Sequence, residues 1–243
     1  MAATLVGFDI APRNPARASI AQPAWVHQAP PRPGRRRQSR RNAAYHRAKR
    51  SFDIVSASAG LLMLAPLLLG CAAAIKLTSP GPVFFRQNRY GRKGTPFQIY
   101  KFRTMRTELS DSSGVQQTVK GDPRITPVGA FLRRTSIDEL PQLLNVLEGT
   151  MSIVGPRPHV PNMIAAGVRY EDFDHRYMRR HAVLPGITGL AQVRGYRGET
   201  DTYEAARGRL DHDLEYLRTA SFWGDLKIVF GTLSKEFGRG SGY

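Results

Sequence analysis

The sequence predicts an α+β fold, mainly helical with a small β element, anchored by one apolar N-terminal membrane helix. Three observations predict it. From Ile54 to Ile75 runs IVSASAGLLMLAPLLLGCAAAI, 22 residues without a charge. Helical patterns follow over roughly 138–148, 170–180, 202–219 and 222–237. Against these stand only short strand candidates: FQIYKF, Phe97 to Phe102, alternates with period two, and Ser152-Ile153-Val154 is a brief β-branched run. No internal repeat interrupts this order.

Residues 1–45 read as a disordered basic tail. Pro12, Pro15, Pro23, Pro30, Pro31 and Pro33 are joined by Arg35, Arg36, Arg37, Arg40 and Arg41, with few apolar side chains to offset the entropy of ordering. A signal peptide is a poor reading, because the apolar run starts only after residue 50 and no small-residue cleavage motif follows it. The membrane helix is assigned to 46–79. Its 22 uncharged residues rise about 33 Å, against a hydrocarbon core of ~30 Å. A buried helix of a soluble domain would normally carry a polar face. Pro66 lies near the centre and should kink the helix. Both flanks are basic: Lys49 and Arg50 before it, and Lys76, Arg86, Arg89, Arg92, Lys93, Lys101, Arg103 and Arg106 after it with no acid among them. The positive-inside rule puts both ends on the cytoplasmic side. That favours a re-entrant helix broken at Ala65-Pro66, with a spanning helix as the alternative. Residues 80–243 then form a soluble-type domain on the membrane surface. In its last helix Phe222, Trp223, Leu226, Ile228, Val229, Phe230, Leu233 and Phe237 are read as core, the alternative being a face in the bilayer interface.

Composition narrows the function. Lys and Arg number 36 and Asp and Glu 19, a net charge of +17, which implies an anionic partner such as nucleic acid, an acidic membrane or phosphorylated substrates. The excess is uneven, since residues 1–50 hold 11 basic residues and the single acid Asp9. The lone cysteine, Cys71, rules out an intrachain disulfide and a thiolate zinc cluster, and its apolar context makes it a small core residue in a reducing compartment. Phosphate-loop, GxGxxG, HExxH and GxSxG signatures are absent.

The most promising chemistry lies in Arg133-Arg134-Thr135-Ser136-Ile137-Asp138-Glu139-Leu140-Pro141. Ser136 and Glu139 have capping-box spacing, which starts a helix at Ile137; Pro141 alternatively marks a start a few residues later. Either way Asp138 sits near a helix N-terminus, where phosphate binds well. An isolated SxDE would more often serve the helix dipole alone. Here, nearby arginines and the segment Val154-Gly155-Pro156-Arg157-Pro158-His159 suggest a phosphoryl site. A carboxylate can attack phosphorus and form an acyl phosphate, provided cations offset the charge. Neighbours on a helix project about 100° apart, so Asp138 and Glu139 suit one nucleophile and one Mg²⁺ ligand better than an acid/base pair. Of His159, His175, His181 and His212, His159 is the one candidate ligand contact.

Together, KRSFDIV (49–55), SPGPVFFRQNRYGRKGTPFQIYKFRTM (79–105), DPRITPVGAFLRRTSIDELPQLLNVLEG (122–149), MSIVGPRPH (151–159) and LPGITGLAQVRGYRGETDT (184–202) resemble the bacterial sugar transferases, the monotopic phosphoglycosyl transferases. The resemblance runs from about Lys49 to Phe237 and implies a polyprenyl-phosphate enzyme on the cytoplasmic face of a bacterial inner membrane, initiating exopolysaccharide or related glycan assembly. It implies Asp138 as nucleophile on the β-phosphate of a UDP-sugar, Glu139 as ligand for Mg²⁺, release of UMP, and transfer to undecaprenyl phosphate. Phosphate and nucleotide contacts would fall on Lys101, Arg103, Arg134 and Arg157, with Gln192 as a further candidate. YMRRH (177–181), GYRGETDT and DLEYLRTASFWGDLKIVF (213–230) are similar to members that transfer glucose-1-phosphate, with UDP-galactose or another UDP-sugar as the alternative donor. Two positions depart from the pattern: Thr150, where the family usually has an acid, and Leu190-Ala191, where many relatives carry tryptophan. The resemblance implies membrane lipid as a partner, leaves an oligomer open and gives no role to nucleic acid. A membrane-tethered basic adaptor for anionic polymer is the competing class. It fits less well, because the tail lacks aromatics interleaved with its basic residues beyond Trp25 and Tyr45 whereas the charge near Asp138 is organised.

Overall fold

The computed structural model describes residues 35–107 and 122–239, with side chains over 43–107 and 122–235. The chain is mainly helical with three small two-stranded sheets among the described residues. Of the expected tail, residues 1–34 lie outside the described residues, while 35–45 are helical rather than disordered. Arg, Gln and Ala here are good helix formers, and they extend an already nucleated helix at little cost.

Helix α1 is Arg35–Thr78. Its helical backbone runs through Pro66, so its two halves form one element rather than a hairpin of two helices. The physical reason is visible in its packing. Tyr45, Lys49, Asp53, Ala57, Leu61, Leu68, Ala72 and Ile75 recur at steps of three, four or seven residues, one helical face, and pack towards the folded domain. Contacts on both sides of the proline hold the helix against the loss of one backbone hydrogen bond. The other faces of α1 expose Ile54, Val55, Leu62, Met63, Leu69 and Leu77. From Ile54 to Ile75 the helix is apolar on all sides but covered on only one, the pattern of a helix that meets lipid on the rest.

The domain begins with a hairpin, β1 Phe84–Tyr90 and β2 Pro96–Phe102, antiparallel with Phe85 opposite Lys101 and Arg89 opposite Phe97. Helix α2, Pro127–Arg134, starts after Thr126, whose hydroxyl accepts from Gly129 N at 2.9 Å. A 3-10 turn, Ile137–Glu139, leads into α3, Gln142–Glu148. Buried Asn145 ties α3 to β2, accepting from Tyr100 N at 2.9 Å and donating to Gln98 O at 2.8 Å. Thr150 donates to Asn145 O at 3.1 Å, so where the family pattern has an acid this chain has a hydroxyl that closes the end of α3.

Strand β3, Ser152–Val154, pairs in parallel with β6, Gly186–Thr188; between them lie the hairpin β4 Ile164–Ala165 with β5 Val168–Arg169, and α4, Tyr170–Phe173. A Cβ on Gly186 would lie 2.1 Å from Gly155 N and one on Gly189 2.3 Å from Gly155 O, so only glycine permits this approach of the strand end to the segment carrying Arg157. Helix α5, Leu190–Val193, precedes α6, Tyr203–Thr219, and α7, Phe222–Arg239. The face of α7 expected to be core is divided: Ile228 is buried, while Trp223 (74% exposed), Phe230 and Leu233 face outward. Phe52 of α1 meets Phe222 edge-on with ring centroids 5.8 Å apart.

Asp225 accepts from Tyr45 Oη at 2.9 Å, Lys49 Nζ at 2.8 Å and Tyr216 Oη at 2.9 Å, joining α1, α6 and α7 at one buried carboxylate. Lys49 also donates to Val154 O at 2.9 Å. Removing one member of a buried ion pair typically costs about 3–5 kcal/mol, because the other charge stays in place uncompensated. Asp225→Ala should therefore lower unfolding stability of the detergent-solubilised protein by that amount. A denaturant midpoint unchanged from wild type would show that α1 is not held here.

Candidate active site

The turn carrying Asp138 and Glu139 is unlike the capping box expected from the sequence. Ser136 adopts a left-handed conformation, with φ 56°, and its side chain makes no cap hydrogen bond. Its hydroxyl accepts instead from Arg197 Nη2 at 2.8 Å, and Glu139 is drawn away by two cations. Pro141 precedes α3, in keeping with the later of the two expected starts.

Glu139 is clamped. Its Oε1 lies 2.7 Å from Lys101 Nζ and 2.6 Å from Arg157 Nη2, and its Oε2 accepts from Arg157 Nη1 at 3.1 Å. Lys101 comes from the inward face of β2 and Arg157 from the Gly155–Pro158 segment after β3. Burial pushes the Glu139 carboxyl upward, but Arg157 and Lys101 outweigh it and hold the group well below the usual carboxylate range. Asp138 behaves oppositely. It is 8% exposed and its carboxylate forms no hydrogen bond among the described residues. Burial raises its pKa, Lys101 opposes that rise, and the charge of Glu139 adds to it. Successive residues of a 3-10 turn diverge by a third of a revolution, so the two carboxylates face different surroundings. Ile137 packs into the apolar cluster formed by Cys71 and Ile75 of α1 with Phe102 and Leu132, so the residue beside Asp138 shares one small core with the apolar helix.

The structure brings together Asp138, Glu139, Lys101 and Arg157. The other expected contacts lie elsewhere. Arg103 donates to Ser79 O at 2.9 Å, to Thr107 Oγ1 at 3.1 Å and to Pro80 O, fastening the link from α1 to β1. Arg134 is exposed over the Phe131 ring, its Cζ 5.9 Å from the centroid. Gln192 donates weakly to Ile187 O at 3.3 Å, and its buried Oε1 has no partner among the described residues. His159 is buried: it stacks on Tyr177 and packs at a tilt on Tyr170, while its Nδ1 lies 3.1 Å from Tyr177 Oη. Its aromatic neighbours make it a core residue of this structure.

Three arginines escaped the sequence reading. Arg89 donates to Pro158 O at 3.2 Å, and burial beside Arg157 brings its pKa down to about 10. Strand alternation was the available signal, since the register sets Arg89 and Lys101 on one face. Buried Arg180 pairs with Asp213 at 2.6 Å and donates to Arg157 O at 2.7 Å. Arg197 reaches the turn carrying Asp138 from 61 residues away, which no local pattern discloses.

Residues 44–239 match the family model described as bacterial sugar transferase. An exopolysaccharide production protein of Rhizobium leguminosarum bv. phaseoli is 56% identical over 195 residues, covering 80% of this chain and 98% of that protein. The UDP-glucose:undecaprenyl-phosphate glucose-1-phosphate transferase of Escherichia coli is 53% identical over 195 residues, 80% of this chain but 41% of its own length. An Aeromonas hydrophila protein named as a UDP-N-acetylgalactosamine-undecaprenyl-phosphate N-acetylgalactosaminephosphotransferase is 44% identical over 189 residues, 76% of this chain and 42% of its own. The chain thus spans about two fifths of several longer relatives and nearly all of a shorter one.

The buried histidines predict a pH signature. Burial holds His159 well below its usual pKa and brings His181 down to about 3. Both stay neutral when folded but take a proton when unfolded below the ordinary imidazole pKa. Each therefore contributes stability that is present above pH ~6.5 and lost as pH falls, at about 1.4 kcal/mol per pH unit. Replacing His159 by Phe keeps the ring packing and removes the titration. Urea unfolding of His159→Phe between pH 7 and 5.5 should show a dependence shallower than wild type by that amount; identical slopes would mean His159 is charged in the fold.

Proposed function

Because the chain belongs to the bacterial sugar transferase family, and is an enzyme of that family, we propose that it transfers a hexose-1-phosphate from a UDP-sugar to undecaprenyl phosphate through a phospho-sugar aspartate on Asp138. The observation that carries the reading is the buried Asp138 carboxylate beside fixed Lys101, without a hydrogen bond among the described residues, in a turn whose Ile137 packs into the cluster that includes Cys71 and Ile75 of α1. An Asp138 oxygen attacks the sugar-bearing phosphorus, the bond to UMP breaks, and UMP leaves with the bridging oxygen. An oxygen of the lipid phosphate then attacks the same phosphorus, and Asp138 departs as the free carboxylate. Lys101 and Arg157 hold positive charge where the diphosphate must lie, and Glu139 keeps both cations in place until it does.

Mg²⁺ suits this donor set. No cluster of three His, Cys, Asp or Glu side chains occurs among the described residues, and Mg²⁺ needs only one or two carboxylates plus phosphate oxygens and water. Glu139, held ionised, would be its protein ligand. The ion would supply neutralising charge to the diphosphate. Glucose is the favoured sugar, since transferases named for UDP-glucose are 47–53% identical to this chain, against 44% for the N-acetylgalactosamine enzyme and 39% for a galactosyl transferase of Streptococcus agalactiae. Glycan initiation for an exopolysaccharide follows from the name of the Rhizobium relative.

We place the enzyme on the cytoplasmic face of the inner membrane, where UDP-sugars are made, with both ends of α1 on that side. A crossing helix would carry one end across ~30 Å of hydrocarbon. Here Tyr45 near one end and Ile75 near the other pack on the same domain, which supports a monotopic arrangement.

Asp138→Asn should lower UMP release at least about a thousandfold, roughly 4 kcal/mol of barrier. Wild type incubated with labelled donor alone should hold label on protein, and initial-rate lines against both substrates should be parallel. Active Asp138→Asn, or intersecting lines with no trapped label, would refute the covalent route. Topology is open to cysteine labelling from outside the membrane, with Cys71 replaced and single cysteines near 40 and 90. Both positions should be protected; external labelling at 40 alone would mean the helix spans.

A further inference from the structure

The loop after α5 is fixed far more firmly than its exposure requires, and what it presents is Arg197. Gly195 takes φ 96°, a conformation costly for any other residue. Tyr196 N donates to Ala191 O at 2.9 Å. The Tyr196 ring lies against Gly208, where a Cβ would come within 2.2 Å of it, and 5.0 Å from the His212 ring. Buried Arg209 donates from Nε to Tyr196 O at 3.0 Å and from Nη2 to Gly198 O, gripping the carbonyls on either side of Arg197. Further on, Thr200 O accepts from Ala166 N at 2.9 Å. From this frame Arg197 Nη2 donates to Ser136 Oγ at 2.8 Å.

Ser136 is a sensitive place to pull. It is one of four non-glycine residues with positive φ among those described, and it stands two positions before Asp138. A non-glycine residue held left-handed stores strain and persists only where its surroundings impose it. Its hydroxyl, the natural cap for the turn, is diverted to Arg197. We propose that Arg197 is a positioning residue: by holding Ser136 left-handed it sets the direction in which the Asp138 carboxylate meets phosphorus, so the C-terminal part of the chain determines the attack geometry in the 3-10 turn. This rests on the assignment of Asp138 as nucleophile.

The alternative is that Arg197 binds the donor directly, and a two-background experiment separates the two. Glycine adopts positive φ without strain, so Ser136→Gly lets the turn form untethered. In the wild-type background Arg197→Ala should slow single-turnover UMP release at saturating UDP-glucose by about a hundredfold, the scale of an ångström-sized misplacement. In the Ser136→Gly background the same change should cost less than about threefold, because the contact it removes is already gone. Thermal unfolding of each variant checks that the fold is intact. An equal loss in both backgrounds, or no loss in either, would overturn the positioning role. Asp138→Asn is run beside them: if it releases UMP, the nucleophile assignment and this inference fall together, whereas a silent Asp138→Asn with equal Arg197→Ala losses removes this inference alone.

Discussion

Two carboxylates buried against α1 set the position of everything else. Asp53, on α1 itself, accepts from Ser152 Oγ at 3.0 Å and from Ile153 N at 2.9 Å, and Asp225, on α7, receives Lys49 and Tyr45. Hydrophobic matching alone would let an apolar helix slide or rotate, since each of its faces is about equally greasy. Buried ionic and hydrogen-bonded contacts are directional and costly to break, so they fix both register and rotation. Arg50 adds a third restraint, donating to Val146 O at 2.6 Å and Leu147 O at 3.0 Å at the C-terminal end of α3, where a cation also meets the negative end of the helix dipole. Once α1 is fixed in this rotation, Cys71 and Ile75 join Phe102 and Leu132 in the small core against which Ile137, beside Asp138, also packs. On the route proposed above, one carboxylate would meet a water-soluble donor and a lipid-borne acceptor in succession.

Much of this was legible in the sequence because the informative signals were local. Strand β3 occupies the run Ser152-Ile153-Val154, α6 begins after Thr202, which caps it at 3.2 Å, and α3 follows Pro141. The family resemblance, not local pattern, implied a site of Lys101, Arg103, Arg134 and Arg157 around Asp138; of these, Lys101 and Arg157 come together, and they close on Glu139. What failed depended on distant partners. The SxxE spacing at Ser136 and Glu139 is a sound local rule, overridden here by Arg197, Lys101 and Arg157 arriving from three other segments. Arg103 and Arg157 look equivalent as sequence, yet one is spent on the carbonyls of Ser79 and Pro80 and the other faces Glu139. His159 follows directly on the Arg157-Pro158 pair, but Tyr170 and Tyr177 enclose its ring. Proline at 66 marked a break that packing on both sides of it suppressed.

The adjacent carboxylates show how one short turn can supply two chemically different groups. Asp138 and Glu139 share backbone and start with nearly the same intrinsic acidity. Burial raises both, and the difference is made by cations: Glu139 is bonded directly to Lys101 and Arg157, whereas Asp138 feels Lys101 without a hydrogen bond. The clamped group is a fixed anion whose oxygens already accept from Lys101 and Arg157, which makes it the weaker nucleophile. The unclamped group keeps its lone pairs free and, carrying a higher pKa, is the more basic and more nucleophilic oxygen once ionised. Arrival of a diphosphate would draw Lys101 and Arg157 towards its own oxygens and weaken their hold on Glu139. Asp138 is thus left unclamped while Glu139 is held as a fixed charge, an asymmetry that follows from which side chain the 3-10 turn aims at β2 and the Arg157 segment.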